Sequence, residues 1–250
     1  MTKDIREIIE DWEYREDCLC VRKIVGLDGK EKIQLRLELG LMQMEVIGRP
    51  DGQRPYGQES LLDYYHTLME EHKAKYGTLE HFRLDTDDCV KLQMEAFQYY
   101  HRRISLFEFQ EYEAVRRDAE HNLRIFSLVS EYASNDQDKV LLDQYRAYVI
   151  THRVKAEVLF WMEKKDHERA LRAIQQGIKE IEDFYREYGR VDLIEEGPDI
   201  QYLKDWAKEI EQNRPVTPRR KLEAMLQAAV KREDYEQASR LRDQIKAMEE

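Results

Sequence analysis

Glu111-Tyr112-Glu113-Ala114-Val115 and, 55 residues further on, Asp166-His167-Glu168-Arg169-Ala170-Leu171 open two helices alike, with an acid and a ring ahead of the first apolar positions. The first continues with Val115, Ala119, Leu123, Phe126 and Val129 on one face. The second continues with Ala170, Ile174, Ile178, Ile181 and Tyr185, and both sets have the spacing of an amphipathic helix. At the same offset Asn122 matches Gly177. Each helix follows another apolar stripe: Cys89, Leu92, Ala96, Tyr100 and Phe107 before the first, and Leu141, Tyr145, Tyr148, His152, Ala156 and Leu159 before the second. No glycine falls between Gly77 and Gly177, and no proline between Pro55 and Pro198. A stretch that long without either breaker is mostly helix. Paired helices of this kind cannot bury both faces alone, so they stack.

Working back toward the N-terminus, Ser60 caps a helix carrying Leu61, Tyr65, Leu68, His72 and Tyr76, with Gly77 as its stop. Ahead of it lies the turn-rich run Gly48-Arg49-Pro50-Asp51-Gly52-Gln53-Arg54-Pro55-Tyr56-Gly57. Ile33, Leu35, Leu37 and Leu39 alternate with polar residues, the pattern of a half-buried strand. Cys18 to Leu27 is rich in β formers, and Asp28-Gly29 supplies a tight hairpin turn. After Gly40 the apolar phase flips to Met42, Met44 and Val46, as at a bulge or a bend into a third strand. Three antiparallel strands in a meander, ending near Ile47, are expected.

Toward the C-terminus a fifth helix runs from about Ile200 to Asn213, with Leu203, Trp206 and Ile210 inward. Arg214-Pro215-Val216-Thr217-Pro218 breaks the chain, and Thr217 followed by Pro218 reads as an N-cap and first helical residue. The expected fold is mainly α (α+β). It comprises a β-meander with its turn-rich loop over 1–57, a helical domain over 58–214 and a C-terminal helical hairpin over 217–250. The acidic-aromatic entry to each second helix is similar to the tetratricopeptide repeat, with 55 residues in place of that family's roughly 34. The middle segment is therefore read as stacked, tetratricopeptide-like hairpins.

Leu222-Glu223-Ala224-Met225-Leu226-Gln227-Ala228-Ala229-Val230 is one short amphipathic helix and Tyr235-Glu236-Gln237-Ala238-Ser239-Arg240-Leu241-Arg242-Asp243-Gln244-Ile245 another, joined at Lys231-Arg232-Glu233-Asp234. Val230, Ala238, Leu241, Ile245 and Met248 form a narrow seam between them. This hairpin resembles the UVR domain, through which the excision-repair proteins UvrB and UvrC bind each other and which recurs in regulators of the Clp protease system. Ser239 stands where that family usually has a second alanine, and Tyr235 replaces a common phenylalanine. The resemblance implies a protein partner bound through Leu226, Tyr235, Ala238, Leu241, Arg242, Asp243 and Ile245. The whole chain also resembles bacterial UVR-motif proteins of unassigned function, around Lys32-Ile33-Gln34-Leu35-Arg36-Leu37-Glu38-Leu39-Gly40 and Gly48-Arg49-Pro50-Asp51-Gly52. Two helices of this length bury too little to stand alone, so the hairpin must dock on its own protein or on a partner.

The 250 residues carry a net charge of −11, with 52 acidic and 41 basic side chains. Residues 217–250 hold eight basic and seven acidic ones, so the other 216 carry −12. That balance argues against duplex binding through bulk charge, because phosphate neutralisation needs a basic face, and leaves room for a local basic patch. Tyr99-Tyr100-His101-Arg102-Arg103 mixes rings and cations as single-strand binders do, but on a helix only part of the run shares a face, with Tyr100 toward the core. At 42% hydrophobic the chain is too apolar for disorder, and no apolar run is long enough for a membrane span. Met1-Thr2-Lys3-Asp4-Ile5-Arg6-Glu7 lacks the apolar core of a signal peptide, so the cytoplasm is the expected location.

Three cysteines build no disulfide framework, and Cys18-Leu19-Cys20 reads as two core-facing thiols on one face of a strand. The seven histidines lack His-Glu-x-x-His spacing, and phosphate-loop, dinucleotide and Gly-x-Ser-x-Gly motifs are missing. No catalytic residue, metal site or cofactor is expected. Arg49, Asp51 and Arg54 form the one ligand suspect, an anion site near a helix start, against a plain reading as a stiff connector. The functional expectation is a non-enzymatic interaction protein; the alternative is an accessory of excision repair or a regulator linked to the Clp system.

Overall fold

The computed structural model describes residues 4–215 and 218–246. Thr217, expected as an N-cap, and Met248, expected in the hairpin seam, lie outside them. The chain divides into two compact units, Met1–Trp206 and Ala207–Glu250.

The first unit starts with the one-turn helix α1 (Arg6–Ile9) and a three-stranded antiparallel sheet in the order β1 (Val21–Val25), β2 (Glu31–Leu37), β3 (Gly40–Glu45). Gly29, at φ 74°, makes the first turn. The phase flip at Gly40 is a bend: Leu37 pairs with Gly40, and Leu39 is exposed in the two-residue turn between them. The meander is thus as expected, but its second face is less exposed than alternation alone suggests. Lys32 and Gln34 are buried beside Ile33 and Leu35. The Lys32 ammonium reaches Asp28 at 2.7 Å and also pairs with Glu45, while Gln34 accepts from Arg22 at 2.8 Å and donates to Gln43 at 2.9 Å. Cross-strand polar pairing makes that burial tolerable.

Helices follow: α2 (Leu61–Tyr76), α3 (Thr86–Glu108), α4 (Tyr112–Tyr132), α5 (Asp136–Asp143), α6 (Arg146–Glu163), α7 (His167–Glu187), α8 (Val191–Glu196) and α9 (Pro198–Asn213). Ser60 caps α2 by accepting from the Asp63 amide, and Gly77 ends it at φ 77°. Helix α4 packs on α3 and α6, and α6 packs on α7, a stack of neighbours in chain order. Ile33, Leu35 and Met44 of the sheet share a core with Leu106, Tyr112, Val115 and Ala156.

The 55-residue offset is visible in the backbone. At the end of α3, Glu111 N–H donates to Leu106 C=O at 3.0 Å and Gln110 N–H to Phe107 C=O at 2.9 Å. At the end of α6, Asp166 donates to Trp161 and Lys165 to Met162, each at 2.9 Å. Gln110 and Lys165 sit in the left-handed region, at φ 59° and 58°. Both are Schellman turns, which satisfy orphan carbonyls at a helix end and reverse the chain. Gly177 lets α7 approach α6 closely: a Cβ there would meet Val154 Cγ2 at 2.3 Å.

Three expectations about which side chains face inward, two on helices and one on a strand, need correction. The stripe expected from Leu141 to Leu159 is two helices, and its Leu141, Tyr145 and Tyr148 are exposed, whereas Leu142, Val149, Ile150 and Val154 are buried. The break at Gln144–Tyr145 resets the phase, and branched aliphatic side chains take the core in place of the tyrosines. On α3, Tyr99 is buried and stacks on His121 at 3.6 Å between ring centroids, while Tyr100 is half-buried. Cys18 is exposed in a turn before β1 and Cys20 is half-buried, so the pair is not a set of core-facing strand thiols.

In the second unit α10 (Pro218–Lys231) and α11 (Tyr235–Lys246) form an antiparallel hairpin.

Candidate functional site: the C-terminal helical hairpin

The turn between α10 and α11 repeats the geometry of the stacked hairpins. Asp234 N–H donates to Ala229 C=O at 2.9 Å, Glu233 N–H to Val230 C=O at 3.0 Å, and Glu233 sits at φ 62°. The Asp234 carboxylate accepts from the Gln237 amide at 3.0 Å, capping α11 as Asp166 caps α7. Glu233-Asp234-Tyr235-Glu236 thus plays the part of Lys165-Asp166-His167-Glu168.

Ala229, Ala238 and Leu241 are the buried centre of the hairpin, with Leu222 and Leu226 packed against them. Small residues on both helices let the backbones approach. Val230, expected in this seam, is half exposed: α10 turns Leu222, Leu226 and Ala229 toward α11, and the residue after Ala229 is carried about 100° further round the helix. The residues expected to bind a partner therefore divide. Ala238 and Leu241 are buried in the hairpin's own seam, Leu226 is packed against it, and Ile245 is half-buried. Tyr235, Arg242 and Asp243 are exposed, with Arg242 Nε 3.7 Å from the Asp243 carboxylate. Tyr235 at 70% exposure, with Met225 and Val230, leaves large apolar side chains in solvent.

The turn-rich loop is built differently. Arg49 Nε lies 3.0 Å from Glu95 Oε2, and its Nη1 lies 3.3 Å from Asp51. Glu95 is fully buried; its carboxylate accepts from the Leu61 and Leu62 amides at 2.7 and 3.2 Å and meets His121 Nε2 at 3.0 Å. A carboxylate of the chain itself therefore occupies the N-terminus of α2, where an anion is favoured. Arg54 is apart from this group, paired with Glu59 at 3.1 Å on the surface.

The Arg102–Arg103 pair, weighed as part of a single-strand binding run, is buried and offers no basic surface. Arg102 makes a two-pronged contact with Asp118, at 2.7 and 2.8 Å, and its remaining Nη1 donates to the carbonyls of Glu45 and Gly48 at 3.0 and 2.7 Å. That set pins the end of β3 to α3 and α4. Arg103 has no hydrogen-bond acceptor for any of its three nitrogens; the Tyr100 and Tyr148 rings lie 5.6 Å from its guanidinium carbon. Burial pushes it down to about 10. Beside it, His152 has a buried Nδ1 without a partner, and burial followed by the Arg103 and Lys155 charges pushes the ring down to about 4. An alternation of cations and rings on a helix does not show which of them turn inward, so this buried pair was beyond sequence reading.

Among the described residues no group of three or more His, Cys, Asp and Glu is placed to hold a metal ion, and no helix is long and apolar enough to cross a membrane.

Residues 219–250 match the family model of the UvrB/uvrC motif, the segment of the hairpin just described. No curated protein and no solved structure matches the chain. The matched motif is a non-catalytic interaction motif associated with DNA-repair proteins.

Proposed function

We propose that this chain is a non-enzymatic adaptor of the cytoplasm that binds a protein partner through the hairpin at 217–250, the stacked helices of 58–214 serving as its platform. The observation that carries the reading is the small seam of the hairpin. With Ala229, Ala238 and Leu241 as its buried centre, Tyr235, Val230 and Met225 remain exposed. A short hairpin gains stability by sharing such a face, and the fitting partner is a second helical hairpin of the same kind. Arg242 and Asp243, side by side and opposite in charge, suit the polar rim that selects one partner over another.

Affinity capture tests this. The full chain, the chain ending at Arg214, and the full-length double variant Tyr235→Ala/Arg242→Glu are compared as baits. The full chain is expected to recover a partner that both altered baits lose. Equal recovery by all three would make the hairpin a structural cap. An accessory role in excision repair, reached through protein contacts, is the second reading, favoured by the matched motif. It requires that the recovered partner be a repair protein with its own such hairpin; recovery of a Clp-system component instead would assign the chain to protease regulation.

A further inference from the structure

Cys18 and Cys20 lie in the segment that leads into β1, outside the hairpin and outside the buried ion pairs. Their sulfurs are 3.5 Å apart. Both are free, Cys18 exposed and Cys20 half-buried. The Arg15 guanidinium donates to Cys18 Sγ twice, from Nη2 at 2.9 Å and Nε at 3.2 Å. Both donors belong to one guanidinium, which places a cation against this sulfur, where an anionic leaving group would depart. The remaining parts of the segment are held still. Cys20 C=O accepts from the Arg36 amide of β2 at 2.8 Å, and Leu19, between the two thiols, packs against the sheet core. Cys20 is thereby anchored within reach of an exposed Cys18. The third thiol is of another kind: Cys89 is buried, and burial pushes it up to about 11.

We propose that Cys18 and Cys20 are a reversible dithiol site, in which Cys18 is oxidised by a peroxide and Cys20 closes the disulfide. In the first step the Cys18 thiolate attacks one oxygen of hydrogen peroxide. The S–O bond forms, the O–O bond breaks, and the departing hydroxide takes a proton to leave as water. In the second step the Cys20 thiolate attacks the Cys18 sulfur. The S–S bond forms, the S–O bond breaks, and the hydroxide again leaves as water. Two thiols are oxidised by two electrons and one peroxide is reduced to two waters. A chelated metal is a poorer use of the pair, since no third His, Cys, Asp or Glu ligand is gathered near it among the described residues.

The test is intact mass and thiol counting on the full chain treated with hydrogen peroxide. The expected product is monomeric, lighter by two hydrogens, with one of three thiols still alkylated after unfolding, and fully restored by dithiothreitol. Cys20→Ser is expected to leave a sulfenic acid on Cys18 that dimedone traps, while Cys18→Ser prevents the loss of two hydrogens. Arg15→Met is expected to slow the first step by about tenfold, the effect of losing a charge-assisted donor beside the reacting atoms. Addition of oxygen to wild-type Cys18 without disulfide formation would overturn the proposal. So would a disulfide solely between chains, or oxidation at Cys89 as fast as at Cys18.

Discussion

Lowering the pH should destabilise the helical stack through His152. This ring lies between α3 and α6, 4.8 Å from the Phe107 ring and 5.6 Å from that of Tyr148, with its Nδ1 unpartnered and the Arg103 and Lys155 charges nearby. Burial is the larger cause and like charge the smaller, and together they push the imidazole from 6.5 down to about 4. Below pH 6.5 the unfolded chain takes up a proton at this position that the folded chain refuses until about pH 4. Stability is therefore full above pH 6.5 and falls as the pH falls through that window. At about 1.4 kcal/mol per pH unit the loss is about 3 kcal/mol, a large share of a typical domain's stability. Burial pushes His66 and His101 down as well, so other groups add to the slope of the wild type. The comparison that isolates His152 is urea denaturation of wild type and His152→Gln at pH 7, 6, 5 and 4, followed by far-ultraviolet circular dichroism. The variant should lose about 3 kcal/mol less than wild type between pH 7 and 4. Parallel stability curves for the two proteins would refute the reasoning, as would a His152 ring that titrates near pH 6.5 by NMR in the folded state.

Two further predictions concern how the first unit is held together. Arg102→Met leaves Asp118 buried without its two-pronged partner and the Glu45 and Gly48 carbonyls without their donor, so it should cost about 3–5 kcal/mol in denaturant unfolding, with Arg102→Lys only partly better. A loss under 1 kcal/mol would mean that the pair is dispensable. Gly177→Ala drives a methyl into Val154 and should cost about 1–3 kcal/mol, part of it regained in the double variant Gly177→Ala/Val154→Ala; strict additivity would place the strain elsewhere.

What was legible in the sequence was whatever repeats at short range. The strand at Ile33 and Leu35, the Ser60 cap, the Gly77 stop and the paired openings at Glu111 and Asp166 each rest on a few adjacent residues, and the structure carries them, although Lys32 and Gln34 are buried and Leu37 and Leu39 exposed against the alternation. The hairpin was legible for the same reason, and residues 219–250 match the motif it resembles. What failed depends on partners far along the chain. Arg102 of α3 is buried because Asp118 of α4, the Glu45 carbonyl at the end of β3 and the Gly48 carbonyl just beyond it converge on it, a set that joins three separate segments. Lys32 is buried because Asp28 and Glu45 flank it across two turns of the meander. Glu95 gave no signal at all, since its amide donors lie 33 and 34 residues upstream at the start of α2. On α5 and the start of α6 the phase was wrong, because a helix break of two residues is invisible when neither is glycine or proline; further along α6, Ala156 and Leu159 face the core as expected.

The Schellman turn shared by the stack and the C-terminal hairpin has a consequence for how this chain tolerates change. Each turn is closed by bonds spanning no more than six residues, at 106–111, 161–166 and 229–234. The angle at which each pair of helices meets is thus written locally and asks nothing of the next pair. What joins one pair to the next is the packing of α4 on α6, so the turn geometry is local while the burial is shared. The C-terminal hairpin and the hairpins of the stack are closed by one kind of turn, used in both units.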